Sequence, residues 1–521
     1  MMKHIYYNGD VLTPKGTAQA VLAENGWIRA VGTKEDILPM QDPNTQLFDL
    51  QGCTLMPGFI DAHSHLSAVA NGMLQPSLTN CRNFDDVAST LEAFGRQNNI
   101  KSGEWILAKD YDQNRLQEQS HPPRQLLDQV LPENPVVLQH TSGHCGVFSS
   151  LALQKLGITE QTKAPSGGTI EQKNGVLTGF MEENAFVSFI KKIPMPDANT
   201  LTDCLIKAQK LYFSYGITTA QEGMLAKELL PLYQTAVGKN ALLMDVVAFP
   251  GPQDLAFVEK QFPDHLMQYR NRLKIGGIKI FTDGSPQVKT AWMRTPYLGG
   301  TDCGYGVMSD ADVLQAVQQA ANRHMQILCH CNGDRACEQF IKAVANVPAA
   351  QQLRPVIVHA QFLGADQLEA VARQHMIPSF FVAHVWHWGD VHIKNVGKQR
   401  ADLISPAMSA CKHHILFTFH QDAPVIQPDM FETIWCAVNR ETSHGVVLGK
   451  SERIGVKDAI DAVTINAAYQ YFEEKEKGSI EPSKKENLIV VSQNPLKIHP
   501  ADLKDIKVLK TIREGEIMME A

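Results

Sequence analysis

Pro57-Gly58-Phe59-Ile60-Asp61-Ala62-His63-Ser64-His65 is the stretch on which the reading of the fold turns. An apolar run leads into a polar cluster, and the two histidines stand two residues apart. In an extended chain such side chains share a face, so both imidazoles can aim at one metal ion. A lone His-x-His pair is weak, because surface histidines pair by chance. At the end of an apolar strand it reads as a ligand pair, because the C-terminal ends of barrel strands are where ligands gather.

Working outward, residues 56–62 are the first of eight apolar strand-like runs, followed by 217–221, 243–249, 277–281, 327–331, 356–359, 378–383 and 415–420. Helical stretches alternate with them, the pattern of a parallel βα architecture. Eight strands close a (β/α)8 TIM barrel, expected here over residues 57–479 in an α/β fold. The interval between the first run and the second far exceeds an ordinary barrel connection. Residues 70–200 are therefore expected to form a large insertion after barrel strand 1, folding over the barrel mouth and supplying substrate contacts.

Residues 4–7, 20–23, 27–31, 46–50 and 54–56 read as short strands, with Asn8-Gly9 and Asn25-Gly26 as hairpin signals. Residues 488–491 and 508–512 are strand-like again, with Gly515 in a turn. Residues 1–56 and 480–521 are expected to complete one small β-sandwich-like domain from both termini.

The 521 residues carry 48 Lys plus Arg against 55 Asp plus Glu, a balance that argues against a nucleic-acid partner. No run approaches about 18 apolar residues, so no membrane span is expected. Asn8, Gly9 and Asp10 interrupt any signal-peptide core, which points to the cytoplasm. Ten Cys without CxxC spacing point to reduced thiols rather than a disulfide framework.

His330 ends QILCH, His359 ends RPVIVH and Asp422 follows ILFTFHQ, all at places equivalent to His63 and His65. A buried core histidine is the commoner reading of any one of them. Together they point to a single centre, with donors suited to zinc or a similar divalent ion. Cys329 and Cys331 alternate with His330 and so belong to the packing. Asp334 and Arg335 read either as orienting the end of that strand or as a helix N-terminal ion pair.

Six ordered motifs carry a family likeness across nearly the whole chain: Gly143-His144, TGFMEEN at 178–184, GIKIFTDGS at 277–285, HCNGDRA at 330–336, VHAQ at 358–361 and QDAPV at 421–425, beside PGFIDAHSH. The sequence resembles the amidohydrolase superfamily, and within it the YtcJ-like (amidohydrolase 3) metal-dependent hydrolases. It departs from that pattern at Asn487, where an Asp is usual, a change expected to touch only local turn chemistry.

The resemblance implies cleavage of an amide-type C–N bond in a small molecule by a metal-activated hydroxide, with one or two divalent ions, zinc first among them. His63, His65, Lys279, His330, His359 and Asp422 are the implied ligands. Lys279 would carry a carbamate bridging two metals; the alternatives are a plain lysine paired with Asp283, or Glu222 as the bridge. Asp422 would move the proton, or serve as a ligand only. His144 is implied as a catalytic group on the substrate or oxyanion side, with an exposed loop histidine as the plain reading. Glu183, Asp283 and His384 are implied at the substrate, and the aromatic crowd around His384 in AHVWHWGD would wall the pocket or simply pack. A deaminase on the same barrel is one rival, although it commonly wants a Glu where Gly333 stands; a metal-free scaffold is another. The partners expected are the amide-type substrate and, among macromolecules, at most a second copy of the chain in a homodimer.

Overall fold

The computed structural model describes residues 2–142, 144–194 and 196–521, and the chain divides into two compact units, residues 1–69 with 205–521 and residues 70–204. Gly143 of the Gly143-His144 motif lies outside the described residues.

In the first unit the termini build two sheets. One orders Trp27–Gly32, Ala20–Glu24, Lys3–Tyr7 and Thr45–Asp49. The other orders Glu516–Glu520, Val508–Arg513, Leu488–Val491, Thr54–Pro57, Asp10–Thr13 and Gly16–Ala18. Asn25-Gly26 closes the hairpin between Ala20–Glu24 and Trp27–Gly32. Asn8-Gly9 does not make the expected hairpin, because Lys3–Tyr7 and Asp10–Thr13 belong to different sheets. It turns the chain from one sheet to the other, and a Cβ on Gly9 would lie 2.2 Å from the Cys53 carbonyl oxygen. Glycine is needed there for close approach of two backbones.

The chain leaves the terminal sheet at Pro57 and enters the parallel set at Phe59. Gly58 makes the step, its N–H donating to the Asn487 carbonyl at 2.8 Å while a Cβ would meet Thr218 Cγ2 at 2.7 Å. The parallel strands are β1 (Phe59–Ile60), β2 (Ile217–Glu222), β3 (Asp245–Ala248), β4 (Leu273–Ile275, continued as Gly277–Phe281), β5 (Gln326–Cys331), β6 (Val356–His359), β7 (Ile377–Phe380) and β8 (Thr418–Phe419). Each pairs in parallel with the next, β4 joining β3 through its first segment and β5 through its second. The first strand is shorter than residues 56–62, since Met56 is paired with Ile489 in the terminal sheet. Among the described residues no ladder joins β8 to β1; the His65 N–H donates to the Ala423 carbonyl at 2.8 Å instead.

Ile60, Val247, Leu328, Val356, Val358 and Ile377 form one buried apolar cluster contributed by β1, β3, β5, β6 and β7. Burial of each such side chain is worth about 1.5–3 kcal/mol, which makes the strand interior a packed core on which polar strand ends can be mounted.

The second unit has its own five-stranded sheet, ordered Gly168–Lys173, Val176–Glu183, Cys145–Phe148, Val136–His140 and Ile106–Tyr111, with apolar cores on both faces. No helix among the described residues is long and apolar enough to cross a membrane.

Candidate metal centre

His63, His65 and Asp422 offer three donor atoms that all lie within 4.8 Å of one another. Asp422 Oδ1 is 3.5 Å from His63 Nε2 and 3.5 Å from His65 Nε2. That oxygen is buried and has no hydrogen-bond partner. Such an orphan carboxylate oxygen costs free energy unless a cation or donor satisfies it, so the donor set fits a divalent ion. Lys279 Nζ approaches His63 Nε2 at 3.3 Å, and His330 Nδ1 faces His359 Nε2 at 3.0 Å. His359 Nε2 is in turn 4.0 Å from Asp422 Oδ2. Six residues from five strand ends thus meet in one place.

Burial governs their protonation. It holds His63, His359 and His420 well below the usual imidazole range, His65 at about 4 and His330 at about 3. Neutral imidazoles keep the lone pairs that metal ligation requires. Burial pushes the Asp422 carboxyl up to about 7, with the Lys279 charge opposing, and lowers Lys279 to about 8. Asp61, buried behind His63, is raised to about 6 for the same reason.

The orientation of His63 is set from behind. Gln221 Nε2 donates to the Ala62 carbonyl and to Tyr471 Oη, both at 2.8 Å, while Tyr471 donates to the Asp61 carbonyl. A carbonyl only accepts, so the amide nitrogen must face Ala62 and Oε1 is left as the acceptor beside His63 Nδ1, 2.5 Å away. His63 therefore carries its proton on Nδ1 and presents a bare Nε2 to Asp422.

A residue that the sequence reading passed over completes the other side. His420 Nε2 lies 3.1 Å from His359 Nδ1, and His420 Nδ1 lies 3.0 Å from Ser379 Oγ. His330 Nε2 is 3.0 Å from the Gly284 carbonyl. One protonation pattern leaves both facing nitrogens of His330 and His359 bare: His330 Nε2–H to Gly284, His359 Nδ1–H to His420, and His420 Nδ1–H to Ser379. The spacing could have flagged His420, since it stands two residues before Asp422 and shares its face. We expect His420→Ala to weaken divalent-metal affinity of the apoprotein about 10- to 100-fold, as loss of a partner behind a ligating histidine generally does. Chelator competition measures it, and an affinity within twofold of the parent would remove His420 from this role.

Several expected residues stand elsewhere. Asp283, implied at the substrate, has no accessible side-chain surface, and its carboxylate accepts the backbone N–H groups of Trp292, Asn332 and Gly333 at 2.7–2.9 Å. It ties the loops beyond β4 and β5 together and has no face left for substrate. His384 is buried and stacked on His392, with Phe381 between it and His420. His144 Nδ1 pairs with Glu183 Oε2 at 3.0 Å within the second unit, both side chains more than half exposed. Glu222 Oε2 accepts from Ser67 N and Tyr233 Oη, and Oε1 is 4.0 Å from His65 Nδ1. Asp334 accepts the Arg294 N–H and Arg335 lies over the Trp292 ring, so neither acts on His330 directly. The Cys329 and Cys331 thiols lie 3.3 Å apart, buried beside Thr282.

Comparison with known proteins places this centre in a family. The profile of the Amidohydrolase family matches residues 46–519. The chain belongs to the amidohydrolase family. It is accordingly an enzyme acting on carbon–nitrogen bonds. Among curated relatives of this amidohydrolase, the putative amidohydrolase YtcJ of Bacillus subtilis (strain 168) is 26% identical over the full length of both chains. The N-substituted formamide deformylase of Arthrobacter pascens is 28% identical, covering 96% of this chain and 95% of the relative. An uncharacterized metal-dependent hydrolase from Pyrococcus furiosus superposes with a TM-score of 0.80 at 22% identity, over 95% of this chain and all of that one.

Proposed function

We propose that this amidohydrolase cleaves the C–N bond of a small amide-type molecule, with zinc at one or two positions in the centre. The observation that carries the reading is the orphan Asp422 Oδ1 set between His63 Nε2 and His65 Nε2. His63, His65 and Asp422 would hold one ion, and His330, His359 and a carboxylated Lys279 would complete the site. A divalent ion bound there supplies Lewis acidity toward a carbonyl. Asp422, at about 7, can take a proton near neutral pH and return it to the leaving nitrogen. Buried neutral histidines behind it exclude water from the rear of the centre. In this reading β8 closes onto β1 as a (β/α)8 barrel over residues 57–479, and residues 1–56 and 480–521 act as one composite β domain.

The likeness to a formamide deformylase makes N-substituted formamides the first compounds to try. The exposed His144 and Glu183 pair is assigned a substrate-side role, read by the loss of kcat/KM at unchanged metal content in His144→Ala. A panel of N-formyl, N-acyl and cyclic amides with zinc-reconstituted protein should release free amine or ring-opened product from at least one member. Stoichiometrically metallated protein that releases ammonia from amino-heterocycles and leaves every amide intact would replace this reading with the deaminase one.

A further inference from the structure

A cavity of roughly 590 Å³ has Lys279 and Phe281 of β4 among its lining residues. That volume lies within the roughly 300 to 1,000 Å³ of small-molecule sites. Phe281 links it to the metal cluster: its ring is 5.3 Å from the His330 ring, and Lys279 Nζ is 5.1 Å from its centroid. The cavity is therefore placed where the part of a substrate flanking the scissile bond would extend.

Its walls come from three elements. Met224 follows the end of β2, while Val307 and Met308 follow a backbone bond from Val307 N–H to the Thr282 carbonyl at 3.0 Å, just beyond β4. The helix Asp310–Asn322 then presents Asp312, Gln315, Ala316 and Gln319, the i, i+3, i+4, i+7 stripe of one helical face. Gln253 stands on the loop beyond β3.

The charges decide what this space accepts. Among the described residues lining it, only Lys279 and Asp312 are ionisable. Lys279 is committed to the metal cluster. Asp312 accepts the Ser309 hydroxyl at 2.7 Å in the helix cap. No cation is left to pair with a carboxylate on the substrate, and a buried carboxylate without a partner is costly. Methionine, valine and phenylalanine surfaces favour apolar groups, and the carboxamides of Gln253 and Gln315 offer neutral donors and acceptors.

We propose that this cavity binds the uncharged, largely apolar substituent of the amide substrate, and that it selects against amides bearing a carboxylate beside the scissile bond, such as N-acyl amino acids. The proposal rests on the hydrolytic reading above and deepens it to a substrate class. Two formamides that differ by one carboxylate, N-(2-phenylethyl)formamide and N-formylphenylalanine, test it with zinc-loaded enzyme. The neutral compound should have the higher kcat/KM, by about tenfold or more. Gln315→Arg, which adds the missing cation, should collapse or invert that ratio. Equal kcat/KM values in the parent enzyme, or a ratio that Gln315→Arg leaves intact, would overturn the proposal. If neither formamide is hydrolysed, the choice of bond is wrong while the cavity can still be read: calorimetric binding of the same two compounds should show the same preference and the same reversal. No binding of either, or binding without preference, would then overturn the cavity assignment itself.

Discussion

Asp422→Asn should lose about 10²-fold or more in kcat, the lower end of what positioned acid–base groups contribute. The expectation follows from where the carboxylate stands. It is fully buried, its pKa is pushed up to about 7, and one oxygen has no hydrogen-bond partner while two histidine nitrogens face it at 3.5 Å. Asparagine keeps the shape but cannot carry a proton at neutral pH. It also turns an acceptor pair into one acceptor and one donor, and the donor would oppose the lone pairs it faces only if a metal is absent. Metal content must therefore be measured with the rate. Loss of metal would make Asp422 a ligand first, and a near-normal kcat in a fully metallated variant would remove it from proton transfer.

Lys279→Ala should lower activity by at least about 10²-fold, because the residue links the two halves of the cluster. Its amine is buried within 3.3 Å of His63 Nε2 and has a pKa lowered to about 8, so a useful neutral fraction exists near pH 8. A neutral amine adds to CO2 with loss of one proton, giving a carbamate whose two oxygens can reach two ions. The sign of the pH dependence follows: as pH falls from 8 to 6 the neutral fraction drops to about one in a hundred, and carbamate formation at fixed CO2 slows accordingly. Intact-protein mass should show a gain of one CO2 in bicarbonate, and formate or acetate should partly restore the alanine variant. Electron density for an unmodified lysine in active, fully metallated enzyme would reject the carbamate and turn attention to Glu222.

The part of this centre that could be read in the sequence is the part written into strand ends. His63, His65, His330, His359 and Asp422 each terminate or closely follow an apolar run, so strand periodicity alone puts them on one face. Lys279 is different, because a lysine within GIKIF is indistinguishable by pattern from any strand residue, and only family likeness singled it out. His420 and Gln221 were missed because their work is behind the ligands, where type and spacing carry no distinctive signal; a hydrogen-bond geometry is needed to see it. Asn8-Gly9 misled for a related reason. The dipeptide specifies a tight turn, but which strands flank it in space depends on partners far along the chain. Strand length was likewise overread at 56–62, where tertiary pairing of Met56 with Ile489 claims the first residues for another sheet.

The ladder between Thr54–Pro57 and Leu488–Val491 also has a bearing on how the enzyme is made. The strand that delivers His63 and His65 is anchored, through Gly58 and the Asn487 carbonyl, to a segment near the far end of the chain. During synthesis the first two histidines leave the ribosome early, yet their anchor is not available until residue 491 has followed. The remaining cluster residues also arrive one strand at a time, Asp422 last. Metal capture in the native geometry is thus confined to the completed polypeptide, and a truncation that removes only the C-terminal strands would disarm a centre whose own residues are all still present.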